Sequence, residues 1–328
     1  MLRELIIEHC SFPLRAPFRI SRAVKCVTEV VTVELRQSGK SGRGESVPYG
    51  RYGESVTSVM NEMEALRPQL AGGMGRDELQ AKLPPGAARN ALDVALWDLE
   101  AQLSGIPVWA QLARPQRGPL VTALTISIDT PARMGEAASR IPGAQLIKIK
   151  VDADDPAARI EAVRRAAPLA LLIVDPNESW DIEILHAMQP VLRHSRVDLL
   201  EQPLPADADY ALLGFAGSIP ICADESCHVT SDLPRLRGRY QAVNIKLDKT
   251  GGLTEAWRLL CAARADGFEI MVGCMVCSSL GIAPAWEVAR HAAFVDLDGP
   301  LWLVDDYPGG VRLDRGLLRP PAPGFWSG

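Results

Sequence analysis

A chain of 328 residues, 47% hydrophobic and 23% charged, has the composition of a soluble globular protein and the length for a large barrel plus a second domain. Its formal net charge of -5, without a long run of Lys or Arg, argues against a nucleic-acid surface. No apolar run approaches the roughly 20 residues of a membrane span.

The chain opens on "MLRELIIEHC", whose acidic residues and short apolar stretch do not fit a signal peptide. The seven cysteines are scattered in no disulfide-framework spacing, which points to reduced thiols and a cytoplasmic protein. Residues 1–10 and 28–36 are expected as strands, and Ser38 to Glu45, "SGKSGRGE", as a turn. Two helical stretches follow. In the second, Ala87 to Leu103, the apolar residues Ala88, Leu92, Ala95, Leu96, Leu99 and Leu103 recur at helical spacing. "PPG" before it and Gly105 and Pro107 after it punctuate the helix. These elements make an α+β capping domain, residues 1–115.

From about Leu120 the pattern becomes strand, helix, strand, helix. Apolar strand candidates are Val121–Ile128, Leu146–Val151, Leu171–Asp175, Asp198–Glu201, Ile219–Ala223, Ala242–Leu247, Glu269–Val272 and Ala293–Asp296. Helical stretches lie between most of them, such as Asp155–Ala166 with its Asp-Pro start and Leu253–Ala265 after "GG". Eight such repeats imply a closed (β/α)8-type barrel, residues 116–304, with a doubly wound open sheet as the alternative. The C-terminal tail, about 305–328, is expected to pack back on the capping domain. Cys274 and Cys277 have C-x-x-C spacing, but no second pair follows and no redox-fold signature surrounds them.

Charged residues recur in phase with the repeat. Asp175 follows Lys150 by 25 residues, Glu201 comes 26 later, Asp224 a further 23 and Lys246 a further 22. Each falls at or near the C-terminal end of an expected strand, the end that carries the active site in such barrels. Carboxylates after strands also cap helices. A lysine is a poor N-cap, however, and five charges in phase are hard to assign to caps. Lys148 and Lys150 lie two apart in "QLIKIKVD", so both project from one face of one strand. Inside a barrel each charge needs a partner.

Neighbouring strand ends bring Asp175, Glu201 and Asp224 side by side, where they repel unless a cation sits between them. An all-oxygen set suits Mg2+, with Mn2+ as the substitute, better than zinc. No H-x-x-x-H pair occurs, and His194 and His228 read as surface or loop residues. Lys150 and Lys246 precede and follow the carboxylates in strand order and so flank the mouth from opposite sides. That arrangement removes a proton from one face of a substrate and returns one to the other. The metal stabilises an enediolate formed from a carboxylate substrate. Lys148 lies beneath the substrate.

Together "IKIK", "VDPNESW", "EQPLP", "ICADES" and "NIKLDKTGG" resemble the enolase superfamily, muconate-lactonizing subgroup. "ARNALDVALWDLEAQLSGIPVWAQL" looks like the helix that links cap and barrel in that family. The resemblance implies one Mg2+ per subunit on Asp175, Glu201 and Asp224, with Lys150 and Lys246 as paired acid and base. It makes Lys148 and Asn177 supporting residues and puts Lys249 outside the site. The His–Asp dyad of the mandelate-racemase branch is missing. Within the subgroup the chain looks most like L-Ala-D/L-Glu dipeptide epimerases of murein-peptide metabolism. In that family the D-x-D of "FVDLDGP", Asp296 and Asp298, binds the substrate's α-ammonium; the alternative is that one aspartate caps the next turn. Arg22, in "PFRISRAVK", fits the position that meets the distal carboxylate of a Glu side chain, with Arg19 as its rival and a solvated loop as the plain alternative. "PYGRYGES" resembles a cap loop of these epimerases. Pro176 departs from the family's small residue after the first carboxylate, and "CMVCSSLG" leaves specificity open. The same-fold alternatives are a cycloisomerase or an o-succinylbenzoate synthase, and the alternative of another class is a non-catalytic metal- or ligand-binding homologue. The expected partner is a small dipeptide, with no nucleic acid and no membrane; a homo-oligomer is compatible with the sequence, which does not set the oligomeric state.

Overall fold

The structure, a computed structural model, describes residues 2–112 and 118–326. The expected boundary at 115/116 lies outside the described residues. The N-terminal part begins with a long antiparallel hairpin, β1 (Glu4–Ile20) and β2 (Ala23–Gln37), turning at Ser21 and Arg22. Both strands run well past the expected ones. Pro13 and Pro17 fall inside β1, although proline cannot donate to a ladder. The ladder instead shifts register between Pro13 and Phe18 and resumes beyond it. The extension carries residues 18–25 to the mouth of the barrel.

"SGKSGRGE" is not a turn. Only Ser38 and Gly39, both with positive φ, make the bend, and Lys40–Ser46 forms a third strand, β3. Glycine signals a turn in sequence, but here it serves close packing. A Cβ on Gly42 or Gly44 would meet backbone of Leu99, Ala95 or Ala91 at under 3.0 Å. Those residues lie on one stripe of the helix Ala87–Ser104, which β3 crosses. Three shorter helices, Val56–Ala65, Arg67–Ala71 and Arg76–Lys82, complete this part around Leu35, Met63, Leu70, Leu79, Leu92 and Leu96.

A two-residue strand β4 (Leu120–Val121) precedes eight parallel strands. They are β5 (Leu124–Ile126), β6 (Leu146–Lys150), β7 (Leu171–Asp175), β8 (Leu199–Glu201), β9 (Ile221–Ala223), β10 (Ala242–Ile245), β11 (Glu269–Gly273) and β12 (Phe294–Asp296). Each pairs with its chain neighbour, and the Ala123 N–H donates to Val295 O at 2.7 Å to bring β12 back to β5. This is the expected barrel with an N-terminal capping domain. Strand alternation sorts the side chains. Ile147, Ile149, Leu172, Val174, Val243 and Val272 point outward into the main core. Leu146, Ile173, Leu199, Cys222, Ala242 and Met271 form an apolar layer within the barrel. One step further along, the inward residues are the charged Lys148, Asp175, Glu201 and Asp224, with Asn244 and Gly273 in the same layer on β10 and β11.

Full helices follow some strands, Pro156–Ala166, Ile182–His194 and Leu253–Ala265 among them. Asp155 and Asp181 cap the first two of these, accepting from Ala158 and Ile184 N–H groups. After β12 a 3-10 turn, Gly299–Trp302, replaces a helix. The tail forms the hairpin β13 (Arg312–Asp314) and β14 (Leu317–Arg319), and β14 pairs with β4. It then reaches β3, where the Trp326 indole donates to Arg43 O at 3.0 Å.

The close approach of β3 to its helix has a measurable consequence. Gly44→Ala is expected to lower unfolding free energy by about 1–3 kcal/mol in urea titration. Gly75→Ala, with nothing within 4 Å of the added carbon, stays within about 0.5 kcal/mol of wild type. Coincident midpoints for the two variants would refute this account of the glycines.

Candidate active site

The charged inner layer lies at the C-terminal ends of the strands, and the hairpin tip and the loop at Tyr49–Tyr52 reach over it. Its geometry follows from strand order. Asp175 ends β7 and Glu201 ends β8, and Asp224 follows β9. Lys150 ends β6 and Lys246 follows β10, so the two lysines stand four strands apart in a ring of eight, on one diameter of the mouth. Glu201 on β8 and Asp296 on β12 mark the crossing diameter.

Each charge has a partner within the layer. Lys148, 1% exposed, spans the second diameter as a floor: its Nζ lies 2.6 Å from Glu201, 2.8 Å from Asp296 and 3.1 Å from Asp175. Lys150 meets Asp175 at 2.6 Å and Lys246 meets Asp224 at 2.6 Å. Asn244 donates to Glu201 at 2.8 Å, and the Asn177 backbone N–H donates to Asp175 at 2.8 Å. Gly273, the inward residue of β11, leaves room for the Lys246 stem, since a Cβ there would stand 3.0 Å from Lys246 Cε. Pro176 is harmless because Asn177, one residue later, supplies the N–H to Asp175.

Residues 2–112 match the mandelate racemase / muconate lactonizing enzyme N-terminal domain, and residues 133–325 match the enolase C-terminal domain-like model. The chain belongs to the mandelate racemase/muconate lactonizing enzyme family. It is 48% identical over 322 residues to the L-Ala-D/L-Glu epimerase of Escherichia coli, covering 97% of this chain and 100% of that one. An enolase family member from Agrobacterium tumefaciens with homology to dipeptide epimerases, solved with bound sodium and L-Ala-L-Glu, superposes with a TM-score of 0.96. It is 47% identical and the match covers 99% of both chains. A dipeptide epimerase from Methylococcus capsulatus, complexed with Mg and L-Arg-D-Lys, has a TM-score of 0.88 at 30% identity, over 99% of both chains.

Within this family member the linking helix does more than pack. Its polar residues grip the turn that follows Lys246. Arg89 donates to Thr250 O and Gly251 O, Asn90 to Asp248 at 2.8 Å, and Trp97 to Thr254 at 3.0 Å. Asp93 accepts from the Thr254 N–H and so caps the helix Leu253–Ala265, whose own N-cap is Gly252. A Cβ on Gly252 would run into Asp93.

Lys249 is buried. Three residues past Lys246 it does not line the cavity, but the short helix Leu247–Thr250 turns its side chain back beneath the site. Its Nζ lies 2.7 Å from Asp224 Oδ1 and bonds Asp224 O and Asn244 O. Arg22 reaches the cavity but is already held. Its guanidinium donates to Glu178 at 2.8 Å, Glu225 at 2.7 Å, Asn177 O and Tyr49. Arg19 lies in a separate groove beside Arg133 and Trp302. Asp298 lines the cavity and also accepts from the Thr125 N–H at 2.7 Å, while Asp296 Oδ1 has no hydrogen-bond partner among the described residues.

Sequence reasoning missed Lys25, Tyr52 and Glu225 on the cavity wall. Lys25 has no carboxylate ion pair among the described residues, and its Nζ stands 5.3 Å over the Tyr49 ring. Its signal was present, as a cation three residues past Arg22 in "PFRISRAVK". His228 packs edge-on against Tyr52 at 4.5 Å and, held down by burial, titrates at about 4.

Burial and charge oppose each other across the ring. Burial raises carboxyl pKa values, but Lys150 and Lys148 outweigh it at Asp175, which falls to about 2. At Glu201 burial and then the neighbouring Asp175 win, and its carboxyl rises to about 7. Since an unfolded Glu titrates near 4.3, the native state holds a proton that the unfolded chain has released. That contribution is complete below about pH 4 and is lost as pH rises through 7, at up to about 1.4 kcal/mol per unit. Without divalent cations, wild type is therefore expected to lose more urea stability than Glu201→Gln between pH 5 and pH 8. Parallel pH profiles would overturn this assignment.

Proposed function

We propose that this protein is a Mg2+-dependent dipeptide epimerase, an isomerase that inverts the α-carbon of the C-terminal residue, with L-Ala-Glu as preferred substrate. The observation that carries the reading is the pair of crossed diameters. A dipeptide laid from the carboxylate cluster to Asp296 and Asp298 has its C-terminal α-carbon between Lys150 and Lys246. Its ammonium meets Asp296, whose second oxygen has no hydrogen-bond partner among the described residues, and Asp298. A cycloisomerase or o-succinylbenzoate synthase has no ammonium to place there.

The donors fit Mg2+. Asp175, Glu201 and Asp224 are all-oxygen, buried and on adjacent strands, and Glu201 is an acid whose ionisation a nearby cation would favour. Among the described residues no three acid, His or Cys groups stand as a ready-made cage, since ammonium groups are their partners here. These three residues would hold the ion, with Asn177 behind Asp175. When bound, the ion offsets the negative charge that develops on the substrate carboxylate as the α-proton leaves.

The lysines divide by their partners. Lys148 has three carboxylates and stays a cationic floor. Lys150 and Lys246 have one each among the described residues, so one exchange of partner releases either; the lysine in its neutral form takes the α-proton and becomes an ammonium, and the opposite ammonium gives one proton to the other face. For the distal carboxylate of Glu, Arg22 is the expected fork, but two glutamates already neutralise it. Lys25 is the cation left to take that carboxylate, with Arg22 shaping the loop beside it. The setting is cytoplasmic murein-peptide metabolism, and among the described residues no helix is long and apolar enough to cross a membrane.

Proton NMR in D2O with L-Ala-L-Glu and Mg2+ tests the reaction. The Glu α-proton signal should vanish as the L-Ala-D-Glu diastereomer appears. Lys150→Ala and Lys246→Ala should each cut epimerisation by about 10³-fold or more while circular dichroism stays native. Full turnover by either variant would refute the two-base scheme. Lys25→Met should raise KM for L-Ala-L-Glu by about 10–100-fold, the worth of one hydrogen bond to a charged group. KM for L-Ala-L-Ala should barely change; an equal rise for both substrates would remove Lys25 from the side-chain site.

A further inference from the structure

We infer that Gln202 is the positioning residue that sets the spacing of the three carboxylates, an assignment that rests on the metal reading above. Gln202 follows Glu201 directly, is fully buried, and takes a left-handed backbone with φ 34°. It is tied to all three strand ends. On the β7 side, its carbonyl accepts from the Glu178 N–H at 2.9 Å, three residues past Asp175. On the β9 side, its Oε1 accepts from the Asp224 N–H at 2.9 Å and the Ser226 N–H at 3.1 Å. Its own N–H donates to Cys222 O at 2.9 Å. Glu201 is its covalent neighbour.

The amide cannot rotate. Its Nε2, with two hydrogens to give, has three acceptors at 2.9 Å, Leu204 O, Ser226 Oγ and Tyr240 OH. Those acceptors are themselves held, because Ser226 and Tyr240 both donate to Asp209, which Arg239 neutralises at 2.7 Å. A flipped amide would point NH2 at two N–H donors and its oxygen at a carbonyl, so one orientation is enforced. Non-glycine residues hold a left-handed backbone only where their surroundings over-determine it. Here that conformation lets one residue face both neighbouring loops. Gln202 touches no reacting atom; it acts through the backbone of Asp224 and the loop after Asp175.

The test is Mg2+ binding by isothermal titration calorimetry, beside apo-protein urea melts, on full-length wild type, Gln202→Met and Tyr240→Phe. Gln202→Met removes the acceptor for Asp224; Tyr240→Phe removes one outer brace and leaves that acceptor in place. Gln202→Met should weaken Mg2+ binding at least 10-fold, with kcat recovering as Mg2+ is raised. Tyr240→Phe should shift the melt but leave the Mg2+ affinity within about 2-fold. Equal Mg2+ affinity in wild type and Gln202→Met would overturn the assignment, whatever the melts do. If Gln202→Met does not fold, Gln202→Asn serves, since it keeps a neutral amide but withdraws the acceptor; undiminished Mg2+ affinity there overturns the proposal equally. If wild type itself takes up no Mg2+, the metal reading falls and this assignment falls with it. Mg2+ bound by wild type but bound as well by the variants would remove the assignment alone.

Discussion

Buried charge must be compensated, and most of this barrel's upper layer follows from that demand. Lys148, Lys150, Lys246 and Lys249 stand among Asp175, Glu201, Asp224 and Asp296, nearly all out of contact with solvent. An ammonium or carboxylate in such a place is tolerated only with partners at hydrogen-bond distance. The apolar layer around Leu146, Ile173 and Met271 closes the barrel from below, so the charges cannot be relieved by water from that side. The result is a ring in which every member leans on its neighbours. A group entering the mouth must exchange partners with the ring, and that exchange is the physical basis for chemistry there.

The cap and the barrel are joined by the same rule. The linking helix buries Arg89, Asn90, Asp93 and Asp98 along with its leucines. Arg89 and Asp93 satisfy backbone groups of the turn after β10 and Asn90 bonds the Asp248 side chain, so the end of the strand bearing Lys246 is fixed from outside the barrel, while Asp98 accepts from the Arg43 N–H on β3. On the other side, Glu178 receives both Arg22 and Arg51 from the cap loops. It does so from a left-handed stretch, Asn177 and Glu178, at φ 47° and 67°. Cap loops and strand ends are thus parts of one polar network, and a cavity wall built from both follows.

Strand periodicity and the phase of the charges were legible because both are local. An inward side chain comes every second residue, and a βα unit returns every 22 to 26 residues here. Asp175, Glu201, Asp224, Lys150 and Lys246 therefore stood out together. Other parts failed where a local signal has two meanings. Glycine in "SGKSGRGE" signals a turn in most settings, yet Gly42 and Gly44 serve the contact with Ala91, Ala95 and Leu99, nearly fifty residues away in the chain or more. Pro13 and Pro17 mark a strand end by rule, but a shift in register lets the strand continue.

By itself the sequence determined the barrel, the order of the charges around its mouth and the all-oxygen character of the carboxylate set, because alternation and repeat length are properties of the chain. Which charges are already neutralised was decided only by tertiary structure. Lys249 is turned beneath Asp224 by one short helix. Arg22 is spent on Glu178 and Glu225, which lie 156 and 203 residues away, while Lys25, three residues on, is left facing the cavity. Ion pairing depends on distances of a few ångströms between groups far apart in sequence, and those distances exist only once the chain is folded.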